Sequence, residues 1–344
     1  MQYKSMPISH CPEALPWGVT LNDLPPFRAR FPWWGGDLQT LANRLSPPRL
    51  GRAPHRSERL SFPLPDGTGD TLLAMLDRPA EPHARRPLAI LIHGLTGAED
   101  SLYILSMAHR LLEGGHSVLR LNLRGAGPSR ATCGGHYYAG RSQDFRGLLA
   151  ILPGELTREG IVAVGYSLGG AMLLKYLGEE GAAAPLIAAA SVSAPIDLAA
   201  TCARMMRPRN VIYHRHILGQ MKREATGEGA SLSAAERAAI LGATTIWDYD
   251  EAFIAPRHGF AGAEDYYERC KPLRFMSGIG VPTLILAALD DPWIPGTLYS
   301  GYDWAANKSL VPLLPSQGGH VGFHGTAGEQ PWSDMAVARF FERG

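Results

Sequence analysis

Gly165-Tyr166-Ser167-Leu168-Gly169 is a G-x-S-x-G pentapeptide, and its flanks decide whether it carries chemistry. The apolar run Ile161–Val164 before it predicts a short buried strand, and Gly170–Leu177 after it predicts a helix. A strand that turns sharply into a helix at a serine is a nucleophile elbow. Such a turn leaves no room for side chains on its flanks, hence Gly165 and Gly169. It lifts the hydroxyl to the end of the sheet and sets the next N–H groups at a helix N-terminus, where they stabilise a negative oxygen. The plainer alternative is a strand-to-helix turn with a capping serine. Partners for Ser167 separate the two.

A serine hydroxyl is a weak nucleophile near neutral pH and needs a base, which in turn needs an orienting acid. At an elbow of this type the chain order is serine, acid, histidine, with the acid after a late strand and the histidine after the last one. Thr283–Ala288 predicts the late strand, and Leu289-Asp290-Asp291-Pro292-Trp293-Ile294-Pro295 follows it. Adjacent side chains point in different directions, so only one of Asp290 and Asp291 is expected to face the histidine. Leu310–Leu314 predicts the last strand, and Gly318-Gly319-His320 follows it. Among twelve histidines His320 meets the order requirement, with His324 as its nearest rival. For the oxyanion, one N–H is expected from Leu168. The other is expected from Leu95, in the loop His93-Gly94-Leu95-Thr96-Gly97 after the buried run Leu88–Ile92. His93 reads as a residue that fixes this loop and not as a base.

Other chemistries fit poorly. There is no H-E-x-x-H, and His214/His216 and His320/His324 lack a third ligand nearby, so no metal is expected. Gly125–Gly127 lacks the full dinucleotide fingerprint and no Walker lysine motif is present, so no cofactor is expected.

The elements that must position these residues alternate. Arg59–Leu64 and Thr71–Asp77 flank Pro65-Asp66-Gly67-Thr68 as a hairpin. Then come the strand Leu88–Ile92, a helix faced by Leu102, Leu105, Ala108 and Leu111 and ended by Gly114-Gly115, and a strand over Val118–Leu123. A helix near Gln143–Leu152, the strand and helix about Ser167, and a strand over Leu186–Val192 complete the first run; Ala336–Phe341 closes the chain as a helix. This alternation predicts an α/β fold with a mostly parallel sheet flanked by helices. Between 196 and 278 it stops. Helical pieces Val211–Lys222, Ser233–Leu241 and Ala263–Cys270 predict a helical lid inserted at the end of the sheet that carries Ser167. Ile212, Ile217, Leu218 and Met221 then face an apolar substrate, pack the insertion onto the core, or do both, since the two readings are not exclusive. The expected organisation is an irregular arm over 1–56 with a short helix near Leu38–Leu45, a core over 57–195, the lid over 196–278 and the rest of the core over 279–344.

The chain has 344 residues, 45% of them hydrophobic, so a sizeable core can form. A net charge of +1 supplies no global attraction for nucleic acid. The locally basic arm (Arg44, Arg49, Arg52, Arg56, Arg59) reads as a solvated face, with weak peripheral contact to phosphate head groups as the alternative. Met1–Val19 has no apolar core of a signal peptide, and no apolar run is long enough for a membrane span. Four scattered cysteines fit a reduced, cytoplasmic protein, and the Asn307-Lys308-Ser309 sequon then reads as accidental. Oligomeric state does not follow from these features.

With these motifs placed, the chain resembles the α/β-hydrolase superfamily. Within it, the chain resembles the YheT-like branch, related to the eukaryotic abhydrolase-domain lipases and the yeast medium-chain ester synthases. The resemblance runs across nearly the whole chain. It is carried by Asp37-Leu38-Gln39-Thr40-Leu41, His93–Gly97, Asn122-Leu123-Arg124-Gly125 and Gly165–Gly170, then by Ala255-Pro256 with Gly259-Phe260, Asp265-Tyr266-Tyr267, the Asp290-Asp291-Pro292 loop and Gly318–Phe323. The chain departs from the family at Trp33-Trp34-Gly35-Gly36 and lacks the eukaryotic members' membrane anchor. The resemblance implies an α/β-hydrolase fold and a carboxylesterase or lipase with Ser167, Asp291 and His320 as its triad. Asp291 is chosen because an aspartate followed by Pro-x-x-Pro is the usual form of this loop in such hydrolases; Asp290 could instead cap the following turn. The implied substrates are short- to medium-chain acyl esters or lipids. An acyltransferase with the same triad, and a non-catalytic binding protein on the same scaffold, are the rival readings.

Overall fold

The apolar runs Leu88–Ile92 and Ile161–Tyr166 lie side by side at the centre of a sheet and are buried along their whole length. The computed structural model describes residues 24–45, 55–80, 86–326 and 328–342. Much of the predicted arm, with Cys11, Pro47, Pro48, Arg49, Arg52 and Pro54, lies outside the described residues. The strands are β1 (His55–Pro63), β2 (Thr71–Pro79), β3 (Leu88–Ile92), β4 (Val118–Leu121), β5 (Ile161–Tyr166), β6 (Ala188–Val192), β7 (Thr283–Leu286) and β8 (Leu310–Leu313). They form one sheet in the order β1-β2-β4-β3-β5-β6-β7-β8. β1 and β2 are the expected hairpin, and β2 meets β4 antiparallel; every later pairing is parallel.

The helices of eight residues or more are α1 (Gly36–Leu45), α2 (Leu102–Glu113), α3 (Ser142–Ile151), α4 (Leu168–Glu180), α5 (Leu198–Met205), α6 (Val211–Ala225), α7 (Ala234–Gly242), α8 (Ala263–Cys270) and α9 (Trp332–Phe341). The alternation of side chains along a strand explains why β3 and β5 read as unbroken apolar runs. Ile90, Ile92 and Ala163 point to the face covered by α3 and α4, with Phe145, Leu148, Met172 and Leu173. Ala89, Leu91, Val162 and Val164 point to the other, covered by α2 and α9 through Ile104, Met107, Trp332 and Val337. Each large apolar side chain so buried contributes roughly 1.5–3 kcal/mol.

β3 is flanked by β4 on one side and β5 on the other, so the connections from β3 and from β4 run in opposite directions. Such a reversal opens a crevice beyond the C-terminal ends of the two strands, where α/β sheets bind ligands. The loops His93–Gly97 and Tyr166–Leu168 border it. Between β6 and β7 the helices α5 to α8 depart from the sheet. The turn Asp250–Ile254 within this segment is a π-helix, a local geometry frequent at functional sites.

Arg124 ties the hairpin to the body. Its buried guanidinium donates to Asp144 at 2.9 and 2.7 Å, to Asp70 at 2.5 Å and to Asp66 at 2.5 Å. This explains the motif Asn122–Gly125 structurally: removing the cation would leave buried carboxylates uncompensated. The Asn307 side-chain amide is taken up by the carbonyls of Met276 and Ile279, both at 2.9 Å, and is buried. Among the described residues no helix is long and apolar enough to cross a membrane.

Asp334, in the first turn of α9, is buried and accepts from Ser106 of α2 at 2.5 Å. Burial raises its carboxyl to about 7 from an ordinary 3.8. The folded chain therefore binds this proton more tightly than the unfolded one. Stability is full below the unfolded value and is lost as pH rises towards the folded value. Asp334→Asn keeps an acceptor for Ser106 but does not ionise. It is expected to raise Tm by a few degrees at about pH 8 and to change it little at about pH 4. Equal Tm values for the two proteins at about pH 8 would contradict this.

Candidate active site

β5 ends at Tyr166 and α4 begins at Leu168, so Ser167 alone makes the turn. It does so with φ 49° and ψ −119°, a conformation disfavoured for a residue with a Cβ. The turn is held by Ser167 N donating to Val192 O at 2.8 Å, and by Ala171 N donating to Ser167 O at 3.0 Å. A Cβ on Gly165 would stand 2.6 Å from Gly169 O, and one on Gly169 would stand 2.4 Å from His93 O. Only glycine at both flanks lets the helix start this close to β3 and β5.

Ser167 Oγ lies 3.0 Å from His320 Nε2, and His320 Nδ1 lies 2.8 Å from Asp291 Oδ2. With the carboxylate as acceptor, Nδ1 carries the ring proton and Nε2 is left to accept from the serine hydroxyl. His320 and Asp291 are both buried. The Trp293 ring stacks on the imidazole with centroids 4.2 Å apart and planes inclined by 30°.

The two aspartates divide their work differently from expectation. Asp291, not Asp290, caps the following turn: its Oδ1 accepts from Trp293 N at 2.7 Å and Ile294 N at 3.0 Å while Oδ2 faces His320. Asp290 instead accepts from Gly319 N at 2.9 Å and so anchors the loop that carries the histidine. Burial raises the Asp290 carboxyl above its ordinary value.

Most of the contacts that hold His320 come from residues distant in sequence, outside the expected triad. The α1 helix packs its polar face on the histidine loop. Thr40 Oγ1 accepts from His320 N at 2.9 Å. Asn43 donates to Val321 O at 2.8 Å, and Gln39 bonds both the N–H and the carbonyl of His324, at 2.7 and 3.0 Å. The signal was the Asp37–Leu41 motif, whose polar residues do not fit a merely apolar packing face. His324, the rival base, spends Nε2 on Asn43 at 2.6 Å, and burial lowers it to about 4. Behind the acid, Arg204 donates to the carbonyls of Asp291 and Pro292, both at 3.1 Å.

The Leu95 turn is braced on every side. His93 Nδ1 and Gly97 N contact Gly94 O at 2.8 and 3.1 Å, Tyr103 Oη accepts from Gly94 N at 2.9 Å, and Tyr137 Oη accepts from Thr96 N at 2.8 Å. His93 Nε2 accepts from Leu123 N at 3.1 Å, and burial lowers this histidine to about 4, so it sits neutral as a loop-fixing residue. Among the described residues no acceptor engages Leu95 N–H. Leu168 N–H, at the first position of α4, has no acceptor within its helix.

These groups open into a cavity of about 910 Å3, at the upper end of the range for small-molecule sites. Its walls are Leu41 of α1, Leu198 and Met205 of α5, and Ile212, Ile217 and Met221 of α6. Ile217, Leu218 and Met221 all pack in the core as well, and of these Leu218 alone does not reach the cavity. The lining also includes Glu224 and Asp250, whose carboxyls are raised to about 7 by removal from water, opposed by hydrogen bonds from Tyr137 at 2.7 Å and Tyr267 at 2.6 Å. His214 accepts from Ile246 N at 3.1 Å, and among the described residues no cluster of ligating side chains could hold a metal ion.

Comparison with known proteins agrees with this architecture. Residues 89–336 match the model of the Alpha/beta hydrolase family. The chain is 32% identical over 296 residues to the candidate esterase YheT of Escherichia coli (strain K12), spanning 84% of each chain. It is 28% identical over 240 residues to mouse (Mus musculus) Phospholipase ABHD3, which covers 69% of this chain and 58% of the relative. Over 283 residues it is 28% identical to the medium-chain fatty acid ethyl ester synthase/esterase 2 of Saccharomyces cerevisiae, 75% of this chain and 62% of the relative. The chain thus spans less than two thirds of these two eukaryotic relatives. The solved structure of the Pyrococcus furiosus esterase Pf2001 superposes with a TM-score of 0.57 at 15% identity, over 93% of this chain and 99% of that one, which shows a shared fold. The chain belongs to the alpha/beta hydrolase family, in the branch that holds YheT and the abhydrolase-domain proteins, and it is a hydrolase enzyme.

Proposed function

We propose that this hydrolase cleaves carboxylic esters of short- to medium-chain acyl groups, with Ser167 as nucleophile, His320 as base and Asp291 as orienting acid. The observation that carries the reading is the unbroken line Asp291–His320–Ser167, at 2.8 and 3.0 Å, at the wall of an apolar cavity. His320 Nε2 takes the hydroxyl proton as Ser167 Oγ attacks the ester carbonyl. Asp291 holds the imidazole in the tautomer that can accept and stabilises the cation that forms. The N–H groups of Leu95 and Leu168 hold the oxyanion, each such donor being worth roughly 10²–10³ in turnover. His320 then gives its proton to the leaving alcohol, and the acyl group stays on Ser167. Water attacks this acyl-enzyme with His320 again as base, releasing the acid and restoring the serine. Residues 196–278 serve as a cap whose α5 and α6 side chains receive the acyl chain.

The same acyl-enzyme can pass its acyl group to an alcohol. The yeast relative named for ethyl ester synthesis favours this second reading. Added ethanol separates the outcomes: formation of ethyl ester at the expense of free acid supports transfer, and free acid alone supports hydrolysis.

In a p-nitrophenyl ester series from acetate to palmitate, kcat/KM is expected to peak at short to medium chains. A maximum at palmitate would contradict the proposed chain length. Ser167→Ala is expected to lower kcat by roughly 10⁴-fold or more without changing Tm appreciably. Undiminished turnover in that variant would refute the assignment.

A further inference from the structure

We propose that Tyr137, Glu224 and Gln220 are positioning residues through which helix α6 sets the geometry of the oxyanion turn. This rests on the reading of Leu95 N–H as an oxyanion donor. Thr96, the residue after Leu95, has φ +56°, which a β-branched residue adopts only when its surroundings impose it. Two contacts from α6 converge on it. Thr96 N–H donates to Tyr137 Oη at 2.8 Å, and that hydroxyl donates onward to Glu224 Oε2 at 2.7 Å. The Thr96 hydroxyl donates to Gln220 Oε1 at 3.3 Å.

Glu224 and Gln220 are four residues apart on α6 and so share one helix face. That face is the one lining the cavity. Tyr137 is buried, and its ring meets His93 edge-on at 6.1 Å, so the hydroxyl has little freedom to move away from Thr96. Among the described residues Tyr137 is the one hydrogen-bond donor to the Glu224 carboxylate, with the Arg130 charge adding a longer-range attraction. The arrangement fixes the orientation of the peptide plane between Leu95 and Thr96. The Leu95 donor is thereby tied, one residue away, to a helix that also forms the wall for the acyl chain. Displacing α6 therefore loosens the oxyanion turn, and a chain seated against Ile217 and Met221 of the same helix steadies it.

The test compares the full chain with its Tyr137→Phe, Glu224→Ala and Glu224→Gln variants, using p-nitrophenyl butyrate turnover. A second readout is inhibition by an alkyl trifluoromethyl ketone, which forms an oxyanion adduct on a serine nucleophile, against the matching methyl ketone, which serves as a ground-state mimic. Tyr137→Phe and Glu224→Ala are expected to lower kcat by about tenfold, part of the worth of one oxyanion donor, with KM within about twofold. Affinity for the trifluoromethyl ketone is expected to fall in step with kcat, and that for the methyl ketone to hold. Glu224→Gln retains an oxygen for the Tyr137 hydroxyl and is expected to recover most of the rate lost in Glu224→Ala. Unchanged kcat in both Tyr137→Phe and Glu224→Ala, or equal losses for the two ketones, would overturn the proposal. If instead the parent chain is inactive, or Ser167→Ala is as active as the parent, it is the ester-hydrolase reading that fails.

Discussion

Ser167, a residue with a side chain, is forced to a positive φ at the turn between β5 and α4, and the surrounding structure is organised to keep it there. The conformation is disfavoured by an amount of order 1–3 kcal/mol, so it persists only where neighbours over-determine it. Here Val192 O fixes the N–H of the turn, Gly165 and Gly169 allow β5 and α4 to close on each other, and β3 presses its end against Gly169. The same closeness exposes the hydroxyl at the rim of the sheet and turns Leu168 N–H outward. Relaxing the turn would move the proposed nucleophile and one proposed oxyanion donor together.

The other groups of the site are held by polar contacts between distant segments. The loop carrying His320 receives Asp290 from one side, Ser193 from below and Thr40 and Asn43 from α1. Each of these is a short side chain meeting a backbone group, which fixes the loop with little loss of side-chain freedom. Arg204 and the Trp293 ring then restrain Asp291 and His320. The proposed cap and the Leu95 turn are joined through Tyr137 in a comparable way. The site is thus assembled from the arm, the sheet loops and the segment after β6, and no one element is sufficient to position it.

What could be read from sequence follows from which interactions leave a local pattern. β3 and β5 were legible because burial on both faces demands unbroken apolar runs, and the turn at Ser167 because only glycine fits its flanks. Chain order brought Asp291 and His320 forward without any contact being visible. Spacing could not divide the roles of Asp290 and Asp291, since adjacent residues differ only in direction, and it was Asp291 that also capped the turn. The sidedness of α6 was also hidden: Ile217, Leu218 and Met221 all pack in the core, and Ile217 and Met221 line the cavity as well. Partners such as Thr40 and His320, 280 residues apart, leave no periodicity at all. Their positions follow only from the closed fold.

Activation of the Ser167 hydroxyl by His320 is read out by its reaction with a fluorophosphonate probe. Mass spectrometry of the labelled, digested chain is expected to find one adduct, on the peptide containing Ser167, and to lose it when His320 is replaced by alanine in a chain that still melts cooperatively. Failure of the folded parent protein to label, or an adduct on another residue, would show that Ser167 is not the activated nucleophile.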